Sequence, residues 1–483
     1  MTSETQETRE MEGPVGSVKP VRPVESPEPT GSVKPVRPVE SPGPAGSVRQ
    51  APPVRLNEPL PARRRRRAGE PFLTRHVRAT MARGFRPPPS WSVPVRHVLP
   101  DGATVTSDAP DGTTVTGNAR NGTTVTGSTP AGTTLTTDPQ AAAHALRTHA
   151  TPLLALITPT LVSRGTLTEQ EQRLDALLDR VAETIQEHPA APVALFLGMQ
   201  WSSAAEEDES LRRLRTLVRR AADRLPSLPV CGLSLPGPGK PRTLNAAIEV
   251  AELLGCAGVG WVDDDVTLDP GCLARLVGDF LAAGCRGASG ATKIPHTKEF
   301  TTSRLLATAK AIAAPATNYP HGCCILVATD VVSGGMPGRY VSDDGYVCFR
   351  LLDPALPDPL AHLRLVPDAR CHYYVAGPAG ETRRRIRRLL LNHLVDLADW
   401  PLPVVRHYFR EVLFAGMWPL TGFDASLGRR RGAQKAAIKW LYFLWFAGVG
   451  GELYLRGLTG RPLRRIEWAP YSVVRTVTPA EER

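Results

Sequence analysis

Three consecutive carboxylates, Asp263, Asp264 and Asp265, follow the apolar run 258–262. The run predicts a short buried strand, which would leave the aspartates at its exposed end. Because neighbouring carboxylates repel one another, this arrangement costs stability unless a cation lies among them. Carboxylate oxygens suit a hard divalent ion such as Mg²⁺ or Mn²⁺, and such an ion can neutralise a diphosphate. The alternative is an acidic turn that contacts only solvent.

A cationic loop comes before the aspartates. Lys240 and Arg242 follow the Gly/Pro segment 236–239, and the apolar spacing from Leu244 onward predicts a helix beside them. The free N–H groups of a helix N-terminus, together with these cations, would favour an anion. The spacing of a P-loop, GxxxxGK[ST], is absent. An ordinary solvated loop is the alternative.

A second acidic pair, Asp343 and Asp344, lies in the segment 341–352 ahead of several apolar residues. Farther along, the predicted strand 363–377 places His372 near its end. A lone histidine on an apolar strand is more often a structural residue than a ligand. Two separated acid clusters would nevertheless suit group transfer to a hydroxyl, since one can hold a metal ion and the other can accept a proton.

Alternating strands and helices would position these groups. Apolar runs and amphipathic spacing predict four strands and four helices. Their order is strand 152–160, helix 171–186, strand 193–199, helix 210–225, strand 229–235, the helix that begins at Leu244, strand 258–262 and helix 270–281. Such alternation is typical of a largely parallel sheet with helices on both faces. Ligands of these sheets bind at the carboxyl ends of the strands, where the three aspartates would lie. The predicted fold class is therefore α/β.

The chain has 483 residues and a formal net charge of +11, with basic clusters at 63–67, 383–388 and 429–431. Such clusters favour an anionic substrate, an anionic membrane surface or nucleic acid. The eight cysteines lie between Cys231 and Cys371 without a CxxC pair, so we expect reduced thiols in the cytosol rather than disulfides or a zinc site. The N-terminus lacks the apolar stretch of a secretory signal, which also favours a cytoplasmic protein.

Two repeats occupy much of the segment 1–140. GSVKPVRPVESPEPT at 16–30 recurs almost unchanged at 31–45, and this Pro-rich repeat cannot bury enough apolar surface to fold. A ten-residue unit recurs across 101–140, with a turn glycine and a Thr/Val stretch each time. It would suit a small β meander or solenoid, but has too few large apolar residues for a stable core. We therefore predict a disordered tail over 1–140. Its arginine run 63–67 is predicted to be solvated, and contact with nucleic acid or anionic lipid is the alternative.

Residues 141–400 have the composition of one α/β domain, and 401–483 are predicted as a helical C-terminal region. In that region the apolar run from Trp440 to Gly451 is shorter than the roughly 20 residues that a membrane span needs. Its aromatic residues and the basic cluster at 429–431 suit peripheral contact with the inner face of a membrane. A buried helix that packs on the α/β domain is the alternative.

Five segments in a fixed order resemble the family 2 glycosyltransferases of GT-A fold, over residues 150–395. They are GKPRTLNAAI at 239–248, VDDDV at 262–266, HGCCILVAT at 321–329, SDDGYVCFRL at 342–351 and VPDARCHYY at 366–374. The DxD element alone is a weak signal, whereas the five elements in this order are specific. The resemblance implies a GT-A-like sheet between helices and an inverting, metal-assisted transfer from a nucleotide-sugar donor. The acceptor would be a hydroxyl of a glycan, a lipid or a small molecule.

The resemblance also implies a role for individual residues. Asp263, Asp265 and His372 would bind a Mn²⁺ or Mg²⁺ ion; Lys240, Asn245, Asp263, Asp264 and Arg350 would lie on the donor side; and Asp344 would be the catalytic base, with Asp343 beside it. The chain departs from the family pattern after the first strand, where ITPTLVSRG at 157–165 lacks an Asn-Glu pair. It also lacks the QxxRW motif in 381–393, so processive polymer synthesis is not predicted.

Two other classes of protein remain open as alternatives. A sugar nucleotidyltransferase on a similar scaffold would need a Gly-rich cationic loop directly after the first strand, and the segment 157–170 lacks one. A non-catalytic protein that binds a nucleotide sugar or nucleic acid is the second alternative. The acidic residues at both predicted sites argue against it.

Overall fold

The computed structural model describes residues 54–59, 92–100, 127–129, 133–147, 152–237, 239–296, 320–338, 340, 342–374, 379–413 and 428–458. All of them belong to one compact unit, Pro53–Arg483. Their strands form a single mixed sheet, and helices lie against it. The predicted α/β fold class is therefore confirmed.

The sheet contains eleven strands within the described residues. In chain order these are β1 (Arg96–Pro100), β2 (Gly127–Thr129), β3 (Thr133–Thr136), β4 (Leu154–Leu161), β5 (Val193–Trp201), β6 (Val230–Pro236), β7 (Gly258–Val262), β8 (Val266–Leu268), β9 (Ala288–His296), β10 (Cys324–Ala328) and β11 (Leu363–Tyr374). Their order in space is β2-β3-β1-β6-β5-β4-β7-β10-β9-β11-β8.

Parallel pairing forms the centre of the sheet. β6, β5, β4 and β7 are parallel neighbours, and β9 is parallel to β11. The three longest ladders are all parallel, while β10 runs antiparallel between β7 and β9. Because β4 and β7 are parallel, Thr160 near the end of β4 and Asp263 just after β7 lie at the same edge. That edge holds most of the candidate site.

Helices cover both faces of the sheet. In chain order they are α1 (Pro139–Arg147), α2 (Leu167–Glu187), α3 (Ala204–Arg224), α4 (Lys240–Leu254), α5 (Cys272–Ala282), α6 (Thr329–Val332), α7 (Asp343–Leu351), α8 (Ala379–Asp399), α9 (Leu402–His407), a π-helical turn (Tyr408–Leu413) and α10 (Gly428–Leu458). α2 contacts α3 and α5 in one layer, while α4 contacts α1 and α6 in the other. This three-layer arrangement is the one that alternating strands and helices predict.

The amphipathic spacing of α2 explains how it covers the sheet. Leu174, Leu178 and Val181 are buried, as their periodicity predicts. Thr166 and Glu169 form a capping box, which satisfies free N–H groups at the start of the helix. The capping box therefore fixes the start of α2 next to the segment that follows β4, close to the candidate site.

Part of the segment 1–140 joins the sheet, which differs from the predicted disordered tail. β1 pairs with both β6 and β3, and its Val98 and Leu99 are 1% and 0% exposed. β2 and β3 form an antiparallel pair within the ten-residue repeats. Composition alone missed these strands because an existing sheet supplies partners that each short strand lacks by itself. The fifteen-residue repeat and the arginine run 63–67 lie outside the described residues.

The described residues after 400 are mainly helical. α10 packs on α8 through a small apolar cluster of Phe446, Val449 and Ile386. None of the described helices has both the length and the hydropathy that crossing a membrane requires.

Candidate active site

The three aspartates lie where β7 ends at the carboxyl edge of the parallel strands. The backbone N–H of Asp263 donates to the carbonyl of Cys323 at 2.9 Å. Three residues later, β8 begins at Val266 and pairs with β11. The acidic turn is thus held by sheet pairing on both sides, which limits the directions in which its carboxylates can point.

Lys240 joins two acidic segments that lie far apart in the chain. Its Nζ lies 2.7 Å from Asp263 Oδ1 and 2.8 Å from Asp343 Oδ2, and it also donates to the carbonyl of Gly322. The residue is 6% exposed. Burial lowers the pKa of Lys240, but Asp263 and Asp343 outweigh it and hold that pKa above its ordinary value. The site therefore contains a buried, charged ammonium group.

Arg164 neutralises the other two aspartates. It follows β4, and its Nη1 pairs with Asp264 while its Nη2 lies 2.8 Å from Asp265 Oδ2. Thr160 Oγ1 also donates to Asp264, and Arg173 Nη1 lies 3.9 Å from the same carboxylate. Burial raises the pKa of Asp264, and Arg164 opposes that shift. The mutual repulsion predicted for adjacent carboxylates is thus relieved by cations of the chain itself.

Asp343 and Asp344 begin helix α7. Ser342 caps the helix by accepting from the N–H of Gly345 at 3.1 Å, and Asp344 Oδ1 accepts from the same N–H at 2.9 Å. Asp343 packs against Gly322, where an added Cβ would come within 2.4 Å of the carboxylate. A side chain at position 322 would therefore displace Asp343.

The two neighbouring carboxyl groups differ in proton affinity. Burial raises the pKa of Asp343 to about 6, although Lys240 opposes the shift. Burial also favours the neutral form of Asp344, but hydrogen bonds from His321 and Ser342 reverse this effect and hold its pKa well below the usual range. His321 Nδ1 lies 3.5 Å from Asp344 Oδ2. Asp344 is therefore the fully ionised member of the pair.

His372 lies on β11 beside β8, and its Nε2 is 2.8 Å from Asp269 Oδ1. A cavity of about 440 Å³ opens between α2 and the strand ends, lined by His372, Asp269, Asp263, Asp264 and Thr160 among others. The predicted metal ligand and two of the aspartates thus border one space. The described contact of His372 Nε2, however, is with Asp269.

Asn245 and Arg350, which the motif places on the donor side, do not border this cavity, and their described contacts are packing contacts. The amide of Asn245 exchanges two hydrogen bonds with the backbone of Met336, at 2.8 and 2.7 Å. Arg350 donates to the carbonyl of Val331 at 3.0 Å and to that of Asn57 at 2.9 Å. Both side chains bond to backbone groups, and Arg350 also pairs with Glu58 at 2.5 Å. Their donor-side roles stay predictions.

The chemistry of the strand end fits a divalent ion. Asp263 and Asp265 offer carboxylate oxygens, which Mg²⁺ and Mn²⁺ prefer, and each ion pair described above uses one oxygen of each carboxylate. As arranged, no three His, Cys, Asp or Glu side chains of the described residues converge closely enough to hold a metal. The donor types are therefore suitable, while Lys240 and Arg164 occupy part of the ligand set.

Four residues of this region were not predicted from the sequence: Thr160, Arg164, Arg173 and His321. One signal could have found Arg164, because it follows directly after the first parallel strand, at the edge where ligands bind. His321 stands directly before the glycine-led strand segment but has no distinctive spacing. Arg173 is a helix residue whose direction only the packing of α2 decides.

Comparisons with known proteins give structural likenesses alone. No protein-family model and no curated protein matches the chain. The solved mannosyltransferase PcManGT from Pyrobaculum calidifontis, in complex with GDP-Man and Mn²⁺, is 19% identical, with 65% of this chain and 88% of that chain covered and a TM-score of 0.38.

Two further solved structures are similar to this chain. Glucosyl-3-phosphoglycerate synthase from Mycobacterium tuberculosis, in complex with Mn²⁺, UDP and phosphoglyceric acid, is 14% identical, with 54% of this chain and 83% of that chain covered and a TM-score of 0.31. S. aureus TarS 1–349, in complex with UDP-GlcNAc, is 15% identical, with 63% and 92% covered and a TM-score of 0.30. At these TM-scores, the function of this chain has to be inferred from its own residues.

Proposed function

We propose that the chain transfers a glycosyl group from a nucleoside-diphosphate donor to an acceptor hydroxyl, with inversion at the anomeric carbon. The observation that supports this most is the position of Lys240 between Asp263 and Asp343, at 2.7 and 2.8 Å. One buried ammonium group thus joins the acidic end of a strand to the acidic start of a helix. The joined cluster lies at the edge of the sheet where ligands of parallel strands bind.

The donor side of the proposal is the end of β7. Asp263, Asp265 and His372 would hold a Mn²⁺ or Mg²⁺ ion, which supplies charge stabilisation for a departing diphosphate when it is bound. Lys240 and Arg164 contribute fixed positive charge next to the same carboxylates. Such charges stabilise a leaving phosphate best when they are already in place before the reaction.

The acceptor side of the proposal is the start of α7. The acceptor hydroxyl must lose its proton as its oxygen forms the new bond to the anomeric carbon and the bond to the diphosphate breaks. Asp344 is proposed to take that proton, because it stands at the start of α7 where the motif places the base. Its carboxylate is ionised, but a pKa below the usual range also makes it a weaker proton acceptor than an ordinary carboxylate. Asp343 is proposed to position this segment through Lys240. Attack opposite the leaving diphosphate would invert the anomeric centre.

The proposed partners are a nucleotide sugar and a glycan, lipid or small-molecule acceptor, in a cytoplasmic protein that contacts the membrane periphery. A sugar nucleotidyltransferase would also bind nucleotide and metal, and a binding protein would bind the donor without reaction. The link between the two acid clusters favours transfer over both, since only transfer needs a proton acceptor beside the donor phosphates.

Nucleotide binding with and without Mn²⁺ tests the donor side. We expect UDP or GDP to raise the melting temperature of the protein much more in the presence of Mn²⁺. Asp265→Ala should abolish this dependence because it removes a carboxylate from the shared site. Asp223→Ala, the same change at an exposed position on α3, should behave as wild type. Unchanged, metal-independent nucleotide binding by Asp265→Ala would contradict the proposal.

A further inference from the structure

One side of α10 is an exposed apolar stripe. The described exposed residues between 437 and 455 are all apolar or glycine: Ala437, Trp440, Leu441, Leu444, Ala447, Gly448, Gly451 and Leu455. Their three- and four-residue spacing places them on one face of the helix. The large side chains are strongly exposed, at 46% for Trp440, 63% for Leu441, 55% for Leu444 and 61% for Leu455.

The opposite side of α10 accounts for its attachment to the rest of the protein. Phe446, Val449 and Leu453 are buried, and the first two pack with Ile386 of α8. On the exposed side, a Cβ added to Gly448 or Gly451 would meet no atom within 4 Å. One apolar face of α10 therefore packs on the protein, and the described residues leave a second apolar face uncovered.

Exposed positive charge lies at the N-terminal end of this helix. Arg429 and Arg430 are exposed in the first turn of the helix. The acidic Glu452 is paired with Arg383 of α8 at 2.6 Å, so its charge is compensated. An apolar surface with exposed arginines at one end complements a surface that is negatively charged outside and apolar beneath.

We propose that α10 docks on the surface of an anionic lipid bilayer, with the stripe from Ala437 to Leu455 in the interface and Arg429 and Arg430 at the headgroups. The stripe spans 19 residues, or about 27 Å for 18 steps of about 1.5 Å each, and lies along the helix rather than around it. Such a helix rests in the plane of the membrane. Trp440 suits the boundary between headgroups and acyl chains, where aromatic residues concentrate.

Vesicle flotation of the full chain tests this proposal. Vesicles of phosphatidylcholine with phosphatidylglycerol are compared with vesicles of phosphatidylcholine alone. We expect the protein to float with the anionic vesicles, much less with the neutral ones, and less as salt is raised. Leu444→Asp should lower partitioning about tenfold or more, because it places a charge where an apolar side chain entered the interface.

Leu402→Asp is the matched control, since Leu402 is also an exposed leucine, at 41%, but lies on α9. It should float as wild type, and both variants should keep the wild-type melting temperature. The proposal is overturned if the wild-type protein does not float, or if Leu444→Asp floats as well as Leu402→Asp. Self-association that Leu444→Asp abolishes, without any flotation, would assign the stripe to a second copy of the chain instead.

The flotation result does not depend on catalysis. A protein that floats but binds no nucleotide would contradict the proposed glycosyl transfer and leave the docking surface intact. A protein that binds nucleotide with Mn²⁺ but does not float would contradict the docking surface and leave the proposed glycosyl transfer intact. The two proposals therefore fail separately.

Discussion

Arg164 lies where a divalent ion would have to compete with it. Its guanidinium pairs with Asp264 and Asp265, and Asp265 is one of the two proposed carboxylate ligands. Because the carboxylates are already neutralised, part of the binding free energy of an ion is lost in displacing this arginine. The affinity of the site for Mn²⁺ should therefore be set partly by Arg164.

Arg164→Gln should raise the Mn²⁺ affinity of the nucleotide-free protein, about tenfold for each 1.4 kcal/mol of competition removed. Isothermal titration calorimetry with Mn²⁺ alone measures the effect. Arg220→Gln is the control, because Arg220 also pairs with an aspartate, Asp175, but on the outer helices. A weaker affinity in Arg164→Gln would show instead that the arginine holds the carboxylates in their binding positions.

Asp344→Asn tests whether Asp344 is the base. Asparagine keeps the shape and can still cap a helix, but it cannot take up a proton. Single-turnover transfer should fall by about 10²–10⁴-fold, the usual contribution of a positioned base, while nucleotide affinity stays near wild type. Asp343→Asn should be milder in transfer if Asp343 acts by positioning through Lys240.

The pH dependence of transfer separates Asp344 from its neighbour Asp343. A base works only when deprotonated, so the rate is lost as pH falls through its pKa. Since the pKa of Asp344 is held well below the usual range, protonation of Asp344 should not lower the transfer rate between pH 8 and about 5. A decline as pH falls through about 6, the pKa to which burial raises Asp343, would assign the proton to Asp343 instead.

Helix α7 is an element held at both ends by other parts of the chain. Ser342 caps its first turn, while the amide of Asn57 donates to the carbonyls of Phe349 and Leu352 at 2.9 and 2.6 Å. These contacts satisfy carbonyls that the end of a helix otherwise leaves without partners. The orientation of α7, and with it the position of Asp344, therefore depends on the segment 54–59.

Arg350→Ala should act through this element. The change removes donors to the carbonyls of Val331 and Asn57, and buried acceptors left without partners cost about 1–3 kcal/mol each. Urea unfolding should show this loss, while the folded fraction keeps its nucleotide affinity. Wild-type stability together with weaker nucleotide binding would support the donor-side role that the motif implies for Arg350.

At the scale of the whole molecule, the extent of the sheet determines where in the chain the folded unit begins. Val98 and Leu99 of β1 are buried against the domain, and β1 covers the edge of β6. Burying one such side chain contributes about 1.5–3 kcal/mol, so the two together matter against a total stability of about 5–15 kcal/mol. The folded unit thus begins well before residue 141.

A chain that starts at Pro53 should unfold with the wild-type midpoint, because the Pro-rich repeats are predicted to form no core. A chain that starts at Ala141 should lose at least several kcal/mol and expose the β6 edge, which favours aggregation. Urea unfolding monitored by circular dichroism and the soluble yield measure both. Equal stability of the two truncated chains would show that β1 to β3 are dispensable.

The local patterns of the sequence determined the α/β class, the central parallel strands and the buried face of α2. They also placed Asp263 to Asp265 after a strand and Asp343 with Asp344 ahead of an apolar segment, because periodicity and capping depend on neighbours a few residues away. The acidic clusters and the cationic loop at Lys240 could therefore be proposed as site components before any tertiary contact was known.

Only the tertiary structure decided which of these charges meet. Lys240 pairs with Asp343 across 103 positions of the chain, and Arg164 pairs with Asp264 across 100. The same holds for Arg350, whose guanidinium bonds to Asn57 instead of lining the cavity. Such pairs follow from strand order and helix packing, and no local pattern records which distant side chains the folded sheet brings within 3 Å of one another.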